Sequence, residues 1–306
     1  MKRSTSLTLI TALALLALAS CSEAGTRPRL QRESYSSETT GAERDFFVYL
    51  PAGYKQKRGQ LWPVMLFLHG NGERGNAKED LDWVLVHGPL YEAWVQKRDL
   101  PFIIVAPQLP LYGLDETVDY IRDRQISDIP ERIDRGVLPR PEEFTTPGPM
   151  NGAASDSANP FGPDGPPHGW NLLEKDLLQL LDDVLVSFRA DPKRVYLTGI
   201  SYGGFGTWYL ASHHPERFAA IAPVVGFGHT DLMPPLAEHR VPIWVFAGGR
   251  DDAVPVRYFY PGLNALEELG HPEVRFTNHE DMGHDTWRRV YEGDDLYDWL
   301  LEHRSD

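Results

Sequence analysis

The sequence predicts a single α/β domain, with a mostly parallel central sheet covered by helices on both faces. Short runs that are apolar throughout, such as Trp62–Leu68, alternate along the chain with segments of helical character. Continuous apolar runs of strand length are typical of interior parallel strands. The 306 residues contain no internal repeat and no mid-chain linker that would require two domains. A third indication is the run 194–200, which ends at a serine flanked by glycines and precedes a helical segment.

The first 20 residues have the pattern of an export signal. Lys2 and Arg3 precede an apolar run over 7–19, which is too short for a comfortable membrane span and is followed by small residues. The end of this run, 18–21, resembles the lipobox of bacterial lipoproteins, in which the cysteine is acylated and becomes the new N-terminus. We therefore predict a signal peptide over 1–20 and lipidation of Cys21. A chance cysteine after an ordinary signal peptide is the alternative.

Cys21 is the only cysteine of the chain, so it cannot form an internal disulfide, and lipidation would explain its presence in an exported protein. The lipoprotein resemblance implies that Ser22 gives no inner-membrane retention signal, which favours the outer membrane. The segment 22–42 is rich in Ser, Thr, Glu and Arg and has almost nothing to bury. We expect it to be a polar tether before a domain over 43–306.

The formal charge of −14 is not interrupted by a basic cluster, which argues against nucleic acid as a partner. The charge indicates a solvated acidic surface. Contact with a membrane is expected only through the lipid anchor on Cys21.

Seven segments are predicted to be strands because they are rich in apolar, β-branched and aromatic residues. In chain order they are 44–50, 62–68, 102–106, 194–200, 218–225, 241–247 and 273–279. Strands that alternate with helices favour right-handed crossovers and a parallel sheet.

Helices are predicted between these strands. They occupy 78–98 with a break near Gly88, a long segment capped by Asn171, then 205–213 and 256–269, and a terminal helix opens at His284. Asn171 and Glu174 are predicted to form a capping-box-like pair. An apolar stripe is expected to make the long helix part of the core; it comprises Leu173, Leu177, Leu181, Val184 and Phe188.

The regular alternation fails over about 109–169. The first half is charged, with a helix predicted around 114–124, and the second half is dense in proline and glycine. A loop of this length inside a compact domain is usually a functional lid or a disordered segment. Because it follows the carboxyl end of a strand, where open α/β sheets bind ligands, we expect a lid or a pocket wall.

Ser201 lies in the string Gly-Ile-Ser-Tyr-Gly between a predicted strand and a predicted helix. This context is that of a nucleophile elbow, in which a strained turn exposes the serine hydroxyl. A serine hydroxyl is a poor nucleophile at neutral pH and needs a base, held in turn by a third group. We predict His284 as the base, with His279 as the alternative. His69 precedes Ser201 in the chain and is expected to be structural.

An acid is predicted in the turn 248–255, which follows the strand 241–247. Asp251 and Asp252 are both candidates. With either one, the chain order of serine, aspartate and histidine differs from that of chymotrypsin and subtilisin.

At these residues the chain resembles exported serine esterases of the α/β-hydrolase superfamily. It is similar to the branch containing polyhydroxybutyrate-depolymerase-like, feruloyl-esterase-like and acetyl-xylan-esterase-like proteins. The resemblance covers about 44–303 without the insertion, and its motifs are 69–75, 198–204, 251–255 and 283–287. It implies the α/β-hydrolase fold with a long insertion after a central strand.

The resemblance also implies the roles of individual residues. The catalytic triad would be Ser201, Asp251 and His284, and Asp251 is preferred because related hydrolases place the acid four residues before the proline of this turn. The backbone N–H groups of Asn71 and Tyr202 would form the oxyanion hole. No organic cofactor and no metal is implied.

The implied activity is hydrolysis of carboxylic esters through an acyl-serine intermediate. The expected substrates are short-acyl esters, or acetyl and hydroxycinnamoyl esters of polysaccharides. Two alternatives stay open: a serine peptidase of the prolyl-oligopeptidase type, and a non-catalytic surface lipoprotein that binds a partner.

Overall fold

The structure is a computed structural model that describes residues 27–125, 127 and 159–305. The predicted signal peptide over 1–20 and Cys21 lie outside the described residues, as does the middle of the predicted insertion. In the part of the chain that is described, no helix has the length and apolar character needed to cross a membrane.

The described residues form one eight-stranded sheet. The strands are β1 (Arg29–Ser36), β2 (Glu43–Leu50), β3 (Trp62–Leu68), β4 (Ile103–Ala106), β5 (Ala190–Ile200), β6 (Ala220–Val224), β7 (Ile243–Gly248) and β8 (Val274–His279). Their order in the sheet is β1-β2-β4-β3-β5-β6-β7-β8. Strands β3 to β8 are mutually parallel, and β1 and β2 are antiparallel to their neighbours. The prediction of a mostly parallel sheet is confirmed.

Helices cover both faces of this sheet. They are α1 (Gly88–Leu90), α2 (Leu114–Thr117), α3 (Asp119–Arg122), α4 (Glu174–Ser187), α5 (Tyr202–His213), α6 (Met233–Glu238), α7 (Tyr260–Glu268), α8 (Trp287–Glu292) and α9 (Asp295–Glu302). Successive side chains of β3 point to opposite faces, so Val64 and Leu66 pack in one apolar core while Met65 and Phe67 pack in the other. Both faces of β3 are therefore buried in apolar cores, as its apolar sequence predicts.

The segment 78–98 is less regular than predicted. It contains a 3₁₀ turn over Leu81–Leu85, the short α1 and a π turn over Tyr91–Val95. The predicted break at Gly88 is present, because α1 begins there with a φ of +82°.

The start of α4 corrects the predicted capping pair. Trp170–Leu173 forms a 3₁₀ turn, α4 begins only at Glu174, and neither element has a side-chain cap. The Glu174 carboxylate instead accepts hydrogen bonds from Tyr209 Oη at 2.9 Å and His214 Nε2 at 2.6 Å. The pair of Asn171 and Glu174 is absent because Glu174 joins α4 to α5. The predicted apolar stripe is confirmed, and it packs in the core.

The segment 22–42 was expected to be a tether, and for its described part this is wrong. Residues Arg29–Ser36 form β1, which pairs along its whole length with β2. As an edge strand, β1 needs no continuous apolar run, and its polar side chains Arg32 and Ser34 bond to Asp45 on β2. Its one buried aromatic residue, Tyr35, packs edge-to-face on Phe46 with ring centroids 5.9 Å apart. The folded domain therefore begins before residue 43.

We predict that Tyr35→Ala lowers the free energy of unfolding by about 3 kcal/mol, because it removes a buried aromatic side chain and leaves a cavity over Phe46. Urea denaturation would measure the change. Arg29→Ala on the same strand, where the side chain is exposed, is the control and should change stability by less than about 0.5 kcal/mol. Equal stability of Tyr35→Ala and the wild type would show that β1 does not stabilise the domain.

Candidate active site

Ser201 lies at the turn between β5 and α5. Its φ of +50° and ψ of −112° are outside the regions that side-chain-bearing residues usually adopt. The backbone N–H of Ser201 donates to the carbonyl of Val224 at 3.0 Å, which anchors the turn to the end of β6. The strained turn that the sequence predicts at this serine is present.

The two glycines that flank Ser201 are required because neither position has room for a side chain. A Cβ atom on Gly203 would lie 1.8 Å from the carbonyl oxygen of Leu68, at the end of β3. A Cβ atom on Gly199 would lie 2.4 Å from the carbonyl oxygen of Gly203. The first turn of α5 therefore sits directly against the ends of β3 and β5, which leaves the serine hydroxyl at the rim of the sheet.

Three side chains that are distant in the sequence meet at this rim. His284 Nε2 lies 2.9 Å from Ser201 Oγ, and His284 Nδ1 lies 2.7 Å from Asp251 Oδ2. Asp251 follows β7, and His284 opens a 3₁₀ turn after β8. The structure thus brings the predicted nucleophile, base and acid into one hydrogen-bonded line, in the geometry required for activating a serine.

The Asp251 carboxylate is fully buried, and both of its oxygens have hydrogen-bond partners. Its Oδ1 accepts hydrogen bonds from the backbone N–H groups of Ala253 at 2.9 Å and Val254 at 2.8 Å, while Oδ2 faces His284. These bonds hold the carboxylate in one orientation, so that it can fix the tautomer with a proton on His284 Nδ1. Asp252 is exposed. The structure therefore places Asp251, and not Asp252, next to the histidine.

The two other candidate histidines lie elsewhere. His69 is buried, and its Nδ1 bonds to the carbonyl of Gly70 at 2.6 Å while its Nε2 accepts the N–H of Leu109 at 2.9 Å. Burial lowers the pKa of His69 to about 3, so the ring is neutral. His279 stacks on Phe246, and burial lowers its pKa as well. His69 is a structural link between β3 and the start of the insertion, as expected.

The two predicted oxyanion donors both begin a helix. Asn71 is the first residue of a 3₁₀ turn over Asn71–Glu73, and Tyr202 is the first residue of α5. The N–H groups in the first turn of a helix have no acceptor within that helix, so both are available to a ligand. Both residues line the same pocket as Ser201. The assignment of their N–H groups to an oxyanion stays a prediction.

The sequence does not define the partners of Arg74, which the structure places beside both predicted oxyanion residues. Its fully buried guanidinium donates to the side chain of Asn71, to the carbonyl of Pro110 at 2.9 Å and to the carbonyl of His168 at 2.8 Å. It also lies 4.8 Å from the ring centroid of Tyr202. Arg74 therefore fixes both predicted oxyanion residues and both ends of the insertion. No local pattern could reveal this, because its carbonyl partners are 36 and 94 residues away in the sequence.

The pocket in front of Ser201 has a volume of about 410 Å³. Aromatic and apolar side chains form much of its wall, and Tyr120, Phe161 and Pro166 come from the described ends of the predicted insertion. Those ends thus contribute a pocket wall. Among the residues that the structure describes, no group of three or more His, Cys, Asp or Glu side chains is arranged to hold a metal ion.

Comparison with known proteins supports the same fold. The model of the prolyl oligopeptidase family matches residues 173–234, about a fifth of the chain, which contains α4, β5 and the turn at Ser201. A solved structure of a thermostable esterase superposes on 90% of this chain and 63% of its own, with a TM-score of 0.58 and 23% identity. The chain has the α/β-hydrolase fold. The comparisons therefore confirm the resemblance to this superfamily.

Two curated relatives match short parts of the chain. Poly(3-hydroxyalkanoate) depolymerase C of Paucimonas lemoignei is 42% identical over 48 residues, which are 16% of this chain and 12% of the relative. The bifunctional acetylxylan esterase/xylanase XynS20E of Neocallimastix patriciarum is 35% identical over 79 residues, 25% of this chain and 11% of the relative. The chain thus spans only about a tenth of the length of these two relatives.

We predict that Asp251→Asn slows the reaction of Ser201 with a fluorophosphonate probe by about 10⁴-fold, because an amide favours the wrong tautomer of His284. Asp252→Asn is the matched control and should react within about twofold of the wild type, because its side chain is exposed and not bonded to His284. Intact-protein mass spectrometry over time gives both rates. A large loss in Asp252→Asn with none in Asp251→Asn would contradict the assignment.

Proposed function

We propose that this protein hydrolyses carboxylic esters through an acyl intermediate on Ser201. The observation that supports this most strongly is the hydrogen-bonded line from Ser201 Oγ through His284 to Asp251, with distances of 2.9 and 2.7 Å. The order of these residues and their positions at the carboxyl ends of parallel strands are those of α/β-hydrolases.

In the first half of the reaction, Ser201 Oγ attacks the ester carbonyl while His284 Nε2 takes the hydroxyl proton. Asp251 stabilises the imidazolium that forms. The N–H groups of Asn71 and Tyr202 hold the negative oxygen of the tetrahedral intermediate, and each such donor contributes about 3 kcal/mol to the transition state. The intermediate collapses when His284 returns the proton to the leaving alkoxide, so that the alcohol departs and Ser201 stays acylated.

In the second half, water replaces the alcohol. His284 Nε2 removes a proton from the water as the oxygen attacks the acyl carbonyl, and the same oxyanion donors stabilise the second intermediate. Collapse releases the carboxylic acid and returns the proton to Ser201 Oγ. His284 therefore carries each proton transfer of the cycle, and the backbone N–H groups stabilise the oxyanion of both intermediates.

The proposed substrates are short-acyl esters, including acetyl and hydroxycinnamoyl esters of polysaccharides. A pocket of about 410 Å³ accommodates a small acyl group, and Phe161, Phe205 and Trp287 in its wall offer flat surfaces to an aromatic one. The names of the two relatives, an acetylxylan esterase and a polyester depolymerase, point to acyl groups on polymers.

We predict that Ser201→Ala abolishes hydrolysis of p-nitrophenyl acetate and methyl ferulate, with a loss of at least about 10⁴-fold in kcat. The variant should keep the far-UV circular dichroism of the wild type. It should also resist fluorophosphonate labelling, whereas the wild type is labelled. A wild type that hydrolyses neither ester and remains unlabelled would contradict the proposal and favour the non-catalytic binding role.

A serine peptidase of the prolyl-oligopeptidase type is the second candidate. The observation in its favour is the match of that family's model to residues 173–234. The same triad could cleave an ester or an amide. The two candidate functions are therefore distinguished by which leaving group, an alcohol or an amine, the protein releases faster. We expect the wild type to cleave acetyl esters with a much higher kcat/KM than a Gly-Pro p-nitroanilide, and the reverse ranking would support the peptidase.

We also propose that the protein is exported and anchored through a lipid on Cys21. If so, only the seven residues 22–28 separate the lipid from β1, and they span at most about 25 Å. The domain would then lie close to the membrane surface. We predict that the wild type partitions with membranes in a bacterial host that processes lipoproteins, and that Cys21→Ser moves it to the soluble fraction. A wild type in the soluble fraction would contradict the anchor.

A further inference from the structure

Glu73 places a carboxyl group in the wall of the active-site pocket, and the proposed reaction does not use it. The residue lines the pocket of Ser201 and His284. It also lines a neighbouring pocket of about 390 Å³, and Gly72, His87 and Tyr120 are shared by the two. The two pockets therefore meet at Glu73, which lines the same pocket as Ser201.

This carboxyl group is almost completely buried, and no lysine or arginine in the described ranges forms an ion pair with it. The side chain is 7% exposed. Within the described residues its nearest charged or titratable partners are His69, with Nδ1 3.8 Å from Oε2, and His87, with Nε2 3.7 Å from Oε1. Both distances exceed that of a hydrogen bond. Oε2 has no hydrogen-bond partner in the described part of the chain.

Neither histidine supplies a positive charge. Both ring nitrogens of His69 are already bonded to the backbone, and burial lowers its pKa to about 3. Burial likewise lowers the pKa of His87 to about 4. Burial raises the pKa of Glu73 itself to about 7, against the opposing influence of nearby backbone N–H groups and of the more distant Arg124 and His284. Burial therefore brings the protonation of this carboxyl group closer to neutral pH than in an exposed glutamate.

Glu92 shows what a buried glutamate looks like when it has a structural partner. It is also buried, and burial raises its pKa to about 7. However, its Oε2 accepts a hydrogen bond from Arg98 Nη1 at 3.2 Å. The same Nη1 also donates to the carbonyl of Tyr291 at 2.8 Å. Among the residues that the structure describes, Glu73 has no such arginine partner. An incompletely paired buried carboxyl group costs stability, which favours a role in binding.

A local structural role is the competing explanation. Glu73 is the third residue of its 3₁₀ turn and Gly70 is the N-cap, which are the positions of a capping box. A Cβ atom on Gly70 would lie 3.2 Å from Glu73 Oε2, so the glycine leaves room for the carboxyl group. Such a cap would act on stability only, and it would not discriminate between substrates.

We propose that Glu73, with His87 beside it, forms a subsite that binds a hydroxyl group of the substrate ester. The inference rests on the proposed ester hydrolysis and names a feature of its substrate, namely a hydroxylated alcohol or acid. A hydroxyl group can donate to the ionised carboxylate and accept from the protonated acid, so it fits both states of Glu73. An ammonium group would fit the ionised state alone. Because the pocket wall is otherwise largely apolar, this contact selects for the hydroxyl.

The test compares esters that differ only by a hydroxyl in place of a methyl group. One pair is 2-hydroxyethyl butyrate and propyl butyrate, which varies the alcohol, and the other is methyl 3-hydroxybutyrate and methyl 3-methylbutyrate, which varies the acid. We expect the wild type to favour the hydroxylated member of one pair by about tenfold or more in kcat/KM. Glu73→Met should reduce that ratio to about one, and Glu73→Gln, which keeps a neutral acceptor, should give an intermediate ratio.

Both esters of a pair are measured with the same preparation of each variant. A smaller fraction of folded protein lowers both kcat/KM values equally, so it leaves their ratio unchanged. Glu92→Gln is the control and should keep the wild-type ratio, because Glu92 lies outside the pocket lining. A wild type that hydrolyses both members of each pair equally overturns the subsite alone. A preference that survives in Glu73→Met, or that Glu92→Gln also removes, overturns it as well. If no ester is hydrolysed, the proposed function fails together with the subsite.

Discussion

The active site depends on the close approach of helix α5 to the ends of strands β3 and β5. At Gly203 the backbone of α5 lies so near the Leu68 carbonyl that a Cβ atom would be only 1.8 Å from its oxygen. This approach forces Ser201 into its strained conformation at the rim of the sheet. It also sets the first N–H groups of α5 beside the loop that follows β3, so the proposed nucleophile and the predicted oxyanion donors are positioned by one packing constraint.

Buried polar groups around this rim fall into two kinds. Asp251 and Arg74 are fully buried, and each is satisfied by several hydrogen bonds, which makes them parts of a rigid frame. Glu73 is buried to a similar degree, yet one of its oxygens has no partner in the described part of the chain. The contrast separates the side chains of this frame from Glu73, which is the proposed ligand-binding group.

Local signals were sufficient for the apolar strands of the sheet and for the strained turn at Ser201. Apolar runs predict β3 and its neighbours, and the glycines around Ser201 mark the close approach of a helix. Prediction from sequence failed where an element or a side chain is held by partners that are distant along the chain. The edge strand β1 is polar and is held by pairing with β2, and Arg74 bonds to carbonyls far along the chain. Residue patterns alone leave Asp251 and Asp252 open, the resemblance favours Asp251, and burial and the hydrogen bond to His284 agree with that choice.

The central claim is that Ser201 carries the acyl group between the two halves of the reaction. The most direct measurement is to quench the wild type during turnover of p-nitrophenyl acetate and to locate the acetyl group by peptide mass spectrometry. We predict a stoichiometric burst of p-nitrophenol and an acetyl group on the peptide that contains Ser201. Turnover with that peptide unmodified, or with the acetyl group on another residue, would contradict the account.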